Sequence, residues 1–394
     1  MEYRKVSELA RQIRGVSYKP EDIHDGLDKD AVILLRANNI SGGKINFDDI
    51  VYVDRRKVSN EQYLRKGDVL ICASSGSKQL VGKAATVDFD RECTFGAFCK
   101  VVRPNPDIAG YLGVYFQSNR YRQKISEVAI GANINNIRNE HIDDLELLVG
   151  NSDENAEVIE TITLLQCIID RRKEQLEKLD ELVKARFVEL FGDMFLNFEE
   201  WNEAPLESLA DIVSGITKGR KVSEKHLIKV PYMAVSNVKE GYIDWTTVKT
   251  IEATEQEINQ YRLLPDDVLM TEGGDPDKLG RGAIIKTPLE NCIHQNHIFR
   301  VRLDETHILP VYFAEYLQHQ RAKRYFLGCA KQTTGIASIN MKQLRALPVL
   351  VPPLKLQERF AAFVEQTDKS KAAVQKALDE TQLLFDSLMQ KYFG

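Results

Sequence analysis

Apolar side chains recur every three or four residues through two long stretches of this chain. From Asp153 to Phe191 the positions Ile162, Leu165, Ile169, Leu176, Leu179, Val183, Phe187 and Leu190 keep that spacing, with Arg172 filling the place between Ile169 and Leu176 and no Gly or Pro in the stretch. The period is that of a helix with one buried stripe. Phe360, Val364, Thr367, Lys371, Val374, Leu378, Thr381, Phe385, Leu388 and Tyr392 repeat it in strict 4-3 alternation. The run Leu-Pro-Val-Leu-Val-Pro-Pro (347–353) precedes this second stretch, and proline is tolerated where a helix begins but not inside it. Both stretches close alike, on Phe191-Gly192 and Phe393-Gly394. Elsewhere the pattern is short and β-like, as in Asp68–Ala73 and His297–Leu303, and Gly and Asn turns interrupt it.

The chain also repeats itself with a period of about 200 residues, the signature of an internal duplication. Val6-Ser7-Glu8-Leu9-Ala10 with Gly15-Val16 returns as Leu206-Glu207-Ser208-Leu209-Ala210 with Gly215-Ile216. Asn39-Ile40, followed by Gly43 and Ile45, returns as Asn237-Val238, followed by Gly241 and Ile243. The run Tyr63–Leu70 matches Arg262–Leu269, and Gly82-Lys83 matches Gly280-Arg281. Order is kept throughout, so each repeat is a mixed α/β body followed by one long helix.

A helix of about 38 residues rises roughly 55–60 Å. A stripe this narrow, with Arg172 and Lys371 on it, suits one partner helix, and the chain supplies one: the other copy. The expected fold is mixed α/β, two similar globular domains separated by two long antiparallel helices in a coiled-coil rod with a pseudo-twofold internal repeat. The boundaries read as 1–152, 153–196, 197–352 and 353–394. Ordinary core helices are the alternative, and the charged outer faces speak against it.

Composition narrows the classes of function. The chain has 394 residues, 43% of them hydrophobic, enough for two or three domains with real cores. No run of about 18 apolar residues is present, and the first residues lack the apolar stretch of a signal peptide, so a cytoplasmic protein is expected. The six cysteines are scattered without a CxxC pair and read as idle thiols, with neither disulfides nor zinc. The net charge of −5 is uneven: residues 1–150 and 201–351 each carry +1, whereas 151–200 carry −7. Either large segment is thus free to turn a basic face toward nucleic acid.

Taken together, these residues resemble the specificity subunit of type I restriction-modification systems. The resemblance rests on Pro231–Asp244, Asp267-Val268-Leu269-Met270-Thr271, Gln295-Asn296-His297-Ile298, and Ile339-Asn340 leading to Leu347–Leu354. The run Leu356-Gln357-Glu358-Arg359-Phe360 looks like that family's second helical region. The first half departs from the pattern: Thr94-Phe95-Gly96-Ala97-Phe98 stands in place of the Gln-Asn-His-Ile type, and no Pro-Pro precedes its helix. The resemblance implies two target recognition domains, each reading one short half-site of double-stranded DNA, with the helix pair setting the gap. It also implies two methyltransferase subunits that modify adenine and ATP-driven restriction subunits as partners. S-adenosylmethionine, ATP and Mg belong to those partners, and this chain is expected to hold no cofactor, no metal and no membrane contact.

The signatures of an enzyme in such a system are missing. There is no GxxxxGK[ST] loop for a nucleotide motor, no Asn-Pro-Pro-Tyr or Asp-Pro-Pro-Tyr run for a flipped adenine, and no (D/E)xK pattern for a nuclease. His294 and His297, three apart on an expected strand, point to opposite faces and do not make a metal pair. A non-catalytic reader is therefore expected. The alternatives are the recognition part of a fused methyltransferase or nuclease, and a coiled-coil adaptor with no DNA role. A start at Met1 and a close on Phe393-Gly394 that echoes Phe191-Gly192 count against a fusion.

Base edges in the major groove are read by Arg, Lys, Asn, Gln, Ser and Thr on accessible loops. Four Gly-flanked loops qualify, in corresponding places of the two halves. The first half offers Ser74, Ser75, Ser77, Lys78 and Gln79, and then Asn133, Asn135, Asn136 and Arg138. The second offers Thr271, Lys278 and Arg281, and then Lys331, Gln332, Thr333 and Thr334. Lys218, Arg220 and Lys221, with Arg14, Tyr18 and Lys19, are placed as grips on the phosphate backbone. The half-sites are expected about one helical turn (roughly 34–36 Å) apart. One heptad inserted after Leu176 with a matching heptad after Leu378 lengthens a rod by about 10 Å, roughly three base pairs of rise. Methylome sequencing of a host carrying that variant should show both half-sequences kept and the gap widened accordingly; an active variant with an unchanged gap removes the helices as the ruler.

Overall fold

The computed structural model describes residues 1–77, 79–128, 135–192, 194, 201–220, 226–274, 279–333 and 336–394, and of residues 135, 331–333 and 336 the backbone alone. The chain forms two compact units, Met1–Lys173 with Gln375–Gly394, and Glu174–Val374. Two 40-residue helices, Ser152–Phe191 and Leu354–Phe393, each give one half to each unit. Their starts are fixed locally. Asn151 Oδ1 accepts from the Glu154 N–H at 2.9 Å while Glu154 returns a carboxylate to the Asn151 N–H, a reciprocal cap on the first helix. Before the second helix, Pro352 and Pro353 exclude an earlier start. Gln357, fully buried, accepts from the Leu309 N–H at 2.8 Å and donates to the Pro352 carbonyl at 2.7 Å.

Each unit is mixed α/β, and the two are built to one plan. The first has a four-stranded antiparallel sheet in the order Ala84–Thr86, Val69–Cys72, Cys99–Pro104, Ala10–Arg14. The second repeats it as Gly282–Ile284, Val268–Thr271, Ile298–Leu303, Ala210–Ser214. In each a further sheet contains one parallel pair: Cys93–Phe95 beside Ala31–Leu35, and Ile293–His294 beside Ile228–Met233. The β-rich runs expected from the alternation are therefore central strands, with Val69, Leu70, Ile71 and Cys72 wholly buried.

Within each unit a helix end is sealed into the globular part by phenylalanine. In the first, Phe393 packs against Tyr111 and Tyr115, with ring centroids 5.1 and 6.0 Å apart. In the second, Phe191 packs against Tyr312 at 4.9 Å and Phe360 at 5.7 Å. Tyr111 donates to the Leu148 carbonyl at 2.7 Å and Tyr312 to the Leu350 carbonyl at 2.9 Å. Most seam residues lie where the periodicity puts them, but at the end of the second helix Met389 and Phe393 are buried and Leu388 and Tyr392 only half-buried. Val158, Ile162 and Ile169 are buried with Leu378, Met389 and Phe393 in the first unit, and Val183 and Phe187 with Phe360 in the second. Early residues of one helix meet late residues of the other, so the pairing is antiparallel. Arg172 bonds the Ala377 carbonyl and the Thr381 hydroxyl, and Lys371 reaches Asp180 at 2.5 Å.

An ion pair recurs at one place in both units, buried in the first and with a half-exposed arginine in the second. Arg103 Nη2 lies 2.7 Å from Asp68 Oδ2, with the side chains 8% and 2% exposed, and Arg302 Nε lies 2.7 Å from Asp267 Oδ1. The same carboxylates accept from the backbone N–H of Arg65 (2.9 Å) and Leu264 (2.7 Å), so each Asp holds a turn and a charge together. Removing one partner of such a pair strands the other. Asp68→Ala should cost about 3–5 kcal/mol in urea denaturation, and an apolar replacement of both Asp68 and Arg103 should recover most of it. A loss below about 1 kcal/mol for the single variant would show the pair to be dispensable.

At the turn following its parallel strand pair the second unit differs from the first, with His294 where the first has Phe95. His294 is buried; its Nδ1–H donates to the Ile298 carbonyl at 3.1 Å. Burial, reinforced by the nearby Arg300 guanidinium, pushes its pKa down to about 4. The unfolded chain takes up this proton near pH 6.5 and the folded one near 4, so folding is fully supported above about 6.5 and weakens as pH falls through 4. The loss should reach about 3 kcal/mol. His294→Phe should flatten this dependence in pH-resolved unfolding; an unchanged slope would place it in other groups.

Candidate nucleic-acid interface

In the first unit three segments meet at one end of the central sheet. Ser74–Ser75 pairs antiparallel with Asn135–Asn136, so two loops far apart in sequence share one small ladder. The Ile137 N–H extends it, donating to the Ala73 carbonyl at 2.8 Å. The third segment is the turn Gly96–Cys99, closed by Cys99 N–H on the Gly96 carbonyl at 2.8 Å. Its Phe98 carbonyl accepts from Ala73 (2.9 Å) and Ser74 (3.0 Å).

The second unit builds the same platform from different residues. Gly273–Gly274 pairs with Ile336–Ser338, which pairs in turn with Lys331–Thr333. Ile339 N–H donates to the Glu272 carbonyl at 2.8 Å, and Glu272 N–H to the His297 carbonyl at 3.0 Å. The turn Gln295–Ile298 closes at 2.9 Å. In both units the turn is pressed against an early segment through a glycine. A Cβ on Gly15 would lie 2.1 Å from the Gly96 carbonyl oxygen, and one on Gly215 2.0 Å from that of His294. No side chain fits there.

The side chains named from sequence divide into three groups. Ser77 and Gln79 are exposed and Ser74 and Ser75 half-buried. Their loop is stiffened from within, since Ser75 Oγ accepts from Ser77 N–H at 3.2 Å, and Arg122 donates to the carbonyls of Gln79 (3.1 Å) and Val81 (2.8 Å). Asn136 and Arg138 are exposed, Arg138 with a salt bridge to Glu140 at 3.0 Å, and Lys218 is exposed too. The backbones of Asn135, Lys331, Gln332 and Thr333 stand in the ladders, and Arg281 is half-buried. Arg14 is exposed, Tyr18 half-buried, and Lys19 lies 3.6 Å from Glu21.

Two of these residues are already committed elsewhere. Thr271 is buried in its strand, its N–H donating to the Arg281 carbonyl at 3.0 Å, so its hydroxyl is not presented to a ligand. Arg220 is neutralised by Glu257, with Nε 2.5 Å from Oε1, and it also donates to the Glu252 carbonyl at 3.2 Å. That contact holds the Glu257 carboxyl below its usual range. Lys78, Asn133, Lys221, Lys278 and Thr334 lie outside the described residues.

Two residues on the platform were not among those named. Phe98 is 69% exposed at the tip of its turn, and His297 occupies the matching place with Nδ1 2.5 Å from Glu272 Oε2. The departure of Thr94–Phe98 from Gln295–Ile298 marked the position. A list of polar base-readers could not include a phenylalanine. His294 and His297 do face opposite ways, one into the core and one to solvent. Among the described residues no group of three His, Cys, Asp or Glu is placed to hold a metal ion. The six cysteines are free thiols; Cys72, Cys93, Cys99 and Cys292 are buried, and burial pushes Cys93, Cys99 and Cys292 up to about 12. Among the described residues no helix is long and apolar enough to cross a membrane.

Comparison with known proteins agrees with this architecture. Residues 198–381 match the family described as the type I restriction modification DNA specificity domain. The EcoKI specificity subunit of Escherichia coli K12 is 31% identical over 98% of this chain and 87% of its own length. The StySPI specificity subunit of Salmonella potsdam is 30% identical over the same shares. The crystal structure of the type I restriction-modification S subunit from M. genitalium superposes with a TM-score of 0.57, covering 100% of this chain and 96% of that one at 15% identity, a likeness of fold. By sequence over nearly its whole length, and by fold, the chain belongs to the family of type I restriction-enzyme DNA-specificity subunits.

Proposed function

We propose that the chain reads a bipartite, asymmetric DNA target, one half-site per unit, and directs adenine methylation or restriction carried out by partner subunits. The observation that carries this reading is the duplicated platform with divergent tips. Backbone hydrogen bonds join a loop, a ladder and a turn in the same order in both units, with a two-stranded ladder in the first and a three-stranded one in the second, while the residues presented differ: Ser74, Ser75 and Phe98 in one, Glu272, Gly273 and His297 in the other. One scaffold with two surfaces suits two different short sequences. Phosphate contacts from exposed cations such as Arg14, Arg138 and Lys218 would position the duplex without specifying it.

The chain acts as a non-catalytic reader in this proposal. Two methyltransferase subunits and restriction subunits supply the chemistry and carry S-adenosylmethionine, ATP and Mg. Methylome sequencing of a host carrying this chain and its methyltransferase should return two unlike half-sequences at a fixed gap. A palindromic or continuous motif would refute the two-reader scheme, and methyl transfer by the purified chain alone would refute the non-catalytic role.

A further inference from the structure

The turn Gly96–Cys99 and its counterpart Gln295–Ile298 belong to neither of the loop pairs that sequence reasoning assigned to DNA. Each is nevertheless bonded to the reading loop of its unit through the carbonyl of its third residue, Phe98 or His297. That residue is held as firmly as the sheet itself, and its side chain is exposed beside the ladder. We propose that this position is a specificity determinant in both units, and that Phe98 reads a thymine through its 5-methyl group. The proposal rests on the two-reader scheme above and goes one step further, to a residue and the base feature it recognises.

An isolated exposed apolar side chain is ordinary on a protein surface. Three observations make Phe98 different. The residues flanking the tip, Phe95 before the turn and Cys99 at its end, are 0% and 1% exposed, whereas Ala97 and Phe98 face outward, Phe98 at 69%. Its carbonyl accepts from two consecutive residues, Ala73 and Ser74, at the base of the candidate loop. The equivalent position in the other unit has exchanged apolar for polar chemistry, with His297 bound to Glu272 and Asn296 Nδ2 3.4 Å from its Nε2. A position kept for packing would stay apolar in both units, and one kept for solubility would be polar in both.

The base edge each can read follows from its chemistry. A phenyl ring has no hydrogen-bonding group, and the one apolar feature of the major-groove edge is the thymine methyl. Glu272 instead presents an acceptor: one carboxylate oxygen is taken by His297 Nδ1 and the other is left to accept. Acceptors match the exocyclic amino groups of cytosine or adenine.

The test uses the full chain assembled with its methyltransferase and synthetic duplexes carrying the motif defined by methylome sequencing. Each thymine of the first half-site, on either strand, is replaced in turn by deoxyuridine, which removes the methyl and nothing else. Wild type should lose about fivefold or more in affinity at one of these positions. Phe98→Ala should show that loss already on unmodified DNA and be indifferent to deoxyuridine there, while Phe98→Leu keeps part of the sensitivity. Deoxyuridine effects in the second half-site should match wild type in Phe98→Ala, which also reports that the complex is folded, and His297→Ala should alter base preference there alone. Phe98→Ala binding like wild type with the same deoxyuridine profile, or losing affinity in both half-sites alike, would overturn the assignment. If wild type yields no bipartite motif, it is the two-reader scheme that fails.

Discussion

The rest of the structure depends on a phenylalanine at the end of a long helix entering an aromatic cage. In the first unit Phe393 fills the space between Tyr111 and Tyr115, and in the second Phe191 fills that against Tyr312. Burying such a side chain stabilises by roughly 1.5–3 kcal/mol, and the edge-on contacts add to that. The consequence is topological as much as energetic. The first unit is completed by the last residues of the chain, and the second by residues that precede its own first strand. Neither globular part has a finished core until a helix end reaches it. Arg120 fastens the first of these ends, donating to the Phe393 carbonyl at 3.3 Å and the Gly394 carbonyl at 2.6 Å.

Against this fixed core the two repeats diverge where backbone hydrogen bonds allow it. Buried positions are tied by several partners at once. Asn39 and Asn237 both accept from an N–H three residues back, at 2.8 and 2.9 Å, and both donate onward to a carbonyl. Asp68 and Asp267 each serve a turn and an arginine. Any substitution there loses two or more interactions. Residues at the tip of the platform are held through their backbone, and their side chains take no part in the core. The scaffold can therefore stay constant while Ser74, Phe98, Glu272 and His297 differ, a division suited to a DNA-specificity subunit.

The same physics explains which parts of the molecule were legible in its sequence. The helices could be read because a stripe repeated over 40 residues has no other common cause. The paired Asn39 and Asn237, Gly15 and Gly215, and Phe191 and Phe393 could be read because duplication kept what packing requires. The ladder joining Ser74–Ser75 to Asn135–Asn136 was hidden, since two-residue strands carry no periodicity. Thr271 and Arg220 show the limit from the other side. A threonine beside glycines and an arginine between lysines look available until the structure shows a buried strand around one and Glu257 against the other. Composition identifies groups able to bind, and only the fold reveals those already bound.

The cations in the helix seam answer a question the apolar stripe leaves open. An antiparallel pair with uniform 4-3 spacing would pack nearly as well after sliding by one heptad, because each knob would find an equivalent hole. Such a slip displaces one helix by about 10 Å against the other and would carry Phe191 and Phe393 out of their cages. Arg172 and Lys371 remove that degeneracy. In the first unit Arg172 meets the Thr381 hydroxyl and the Ala377 carbonyl, and in the second Lys371 meets Asp180. After a slip of one heptad Arg172 would lose Thr381, and Lys371 would face Phe187 or Lys173 in place of Asp180; a half-buried charge stripped of its partner is costly. A leucine at either site would pack at least as well and discriminate less. The seam thus gives up some cohesion for a single register, and that register delivers each phenylalanine to its aromatic cage.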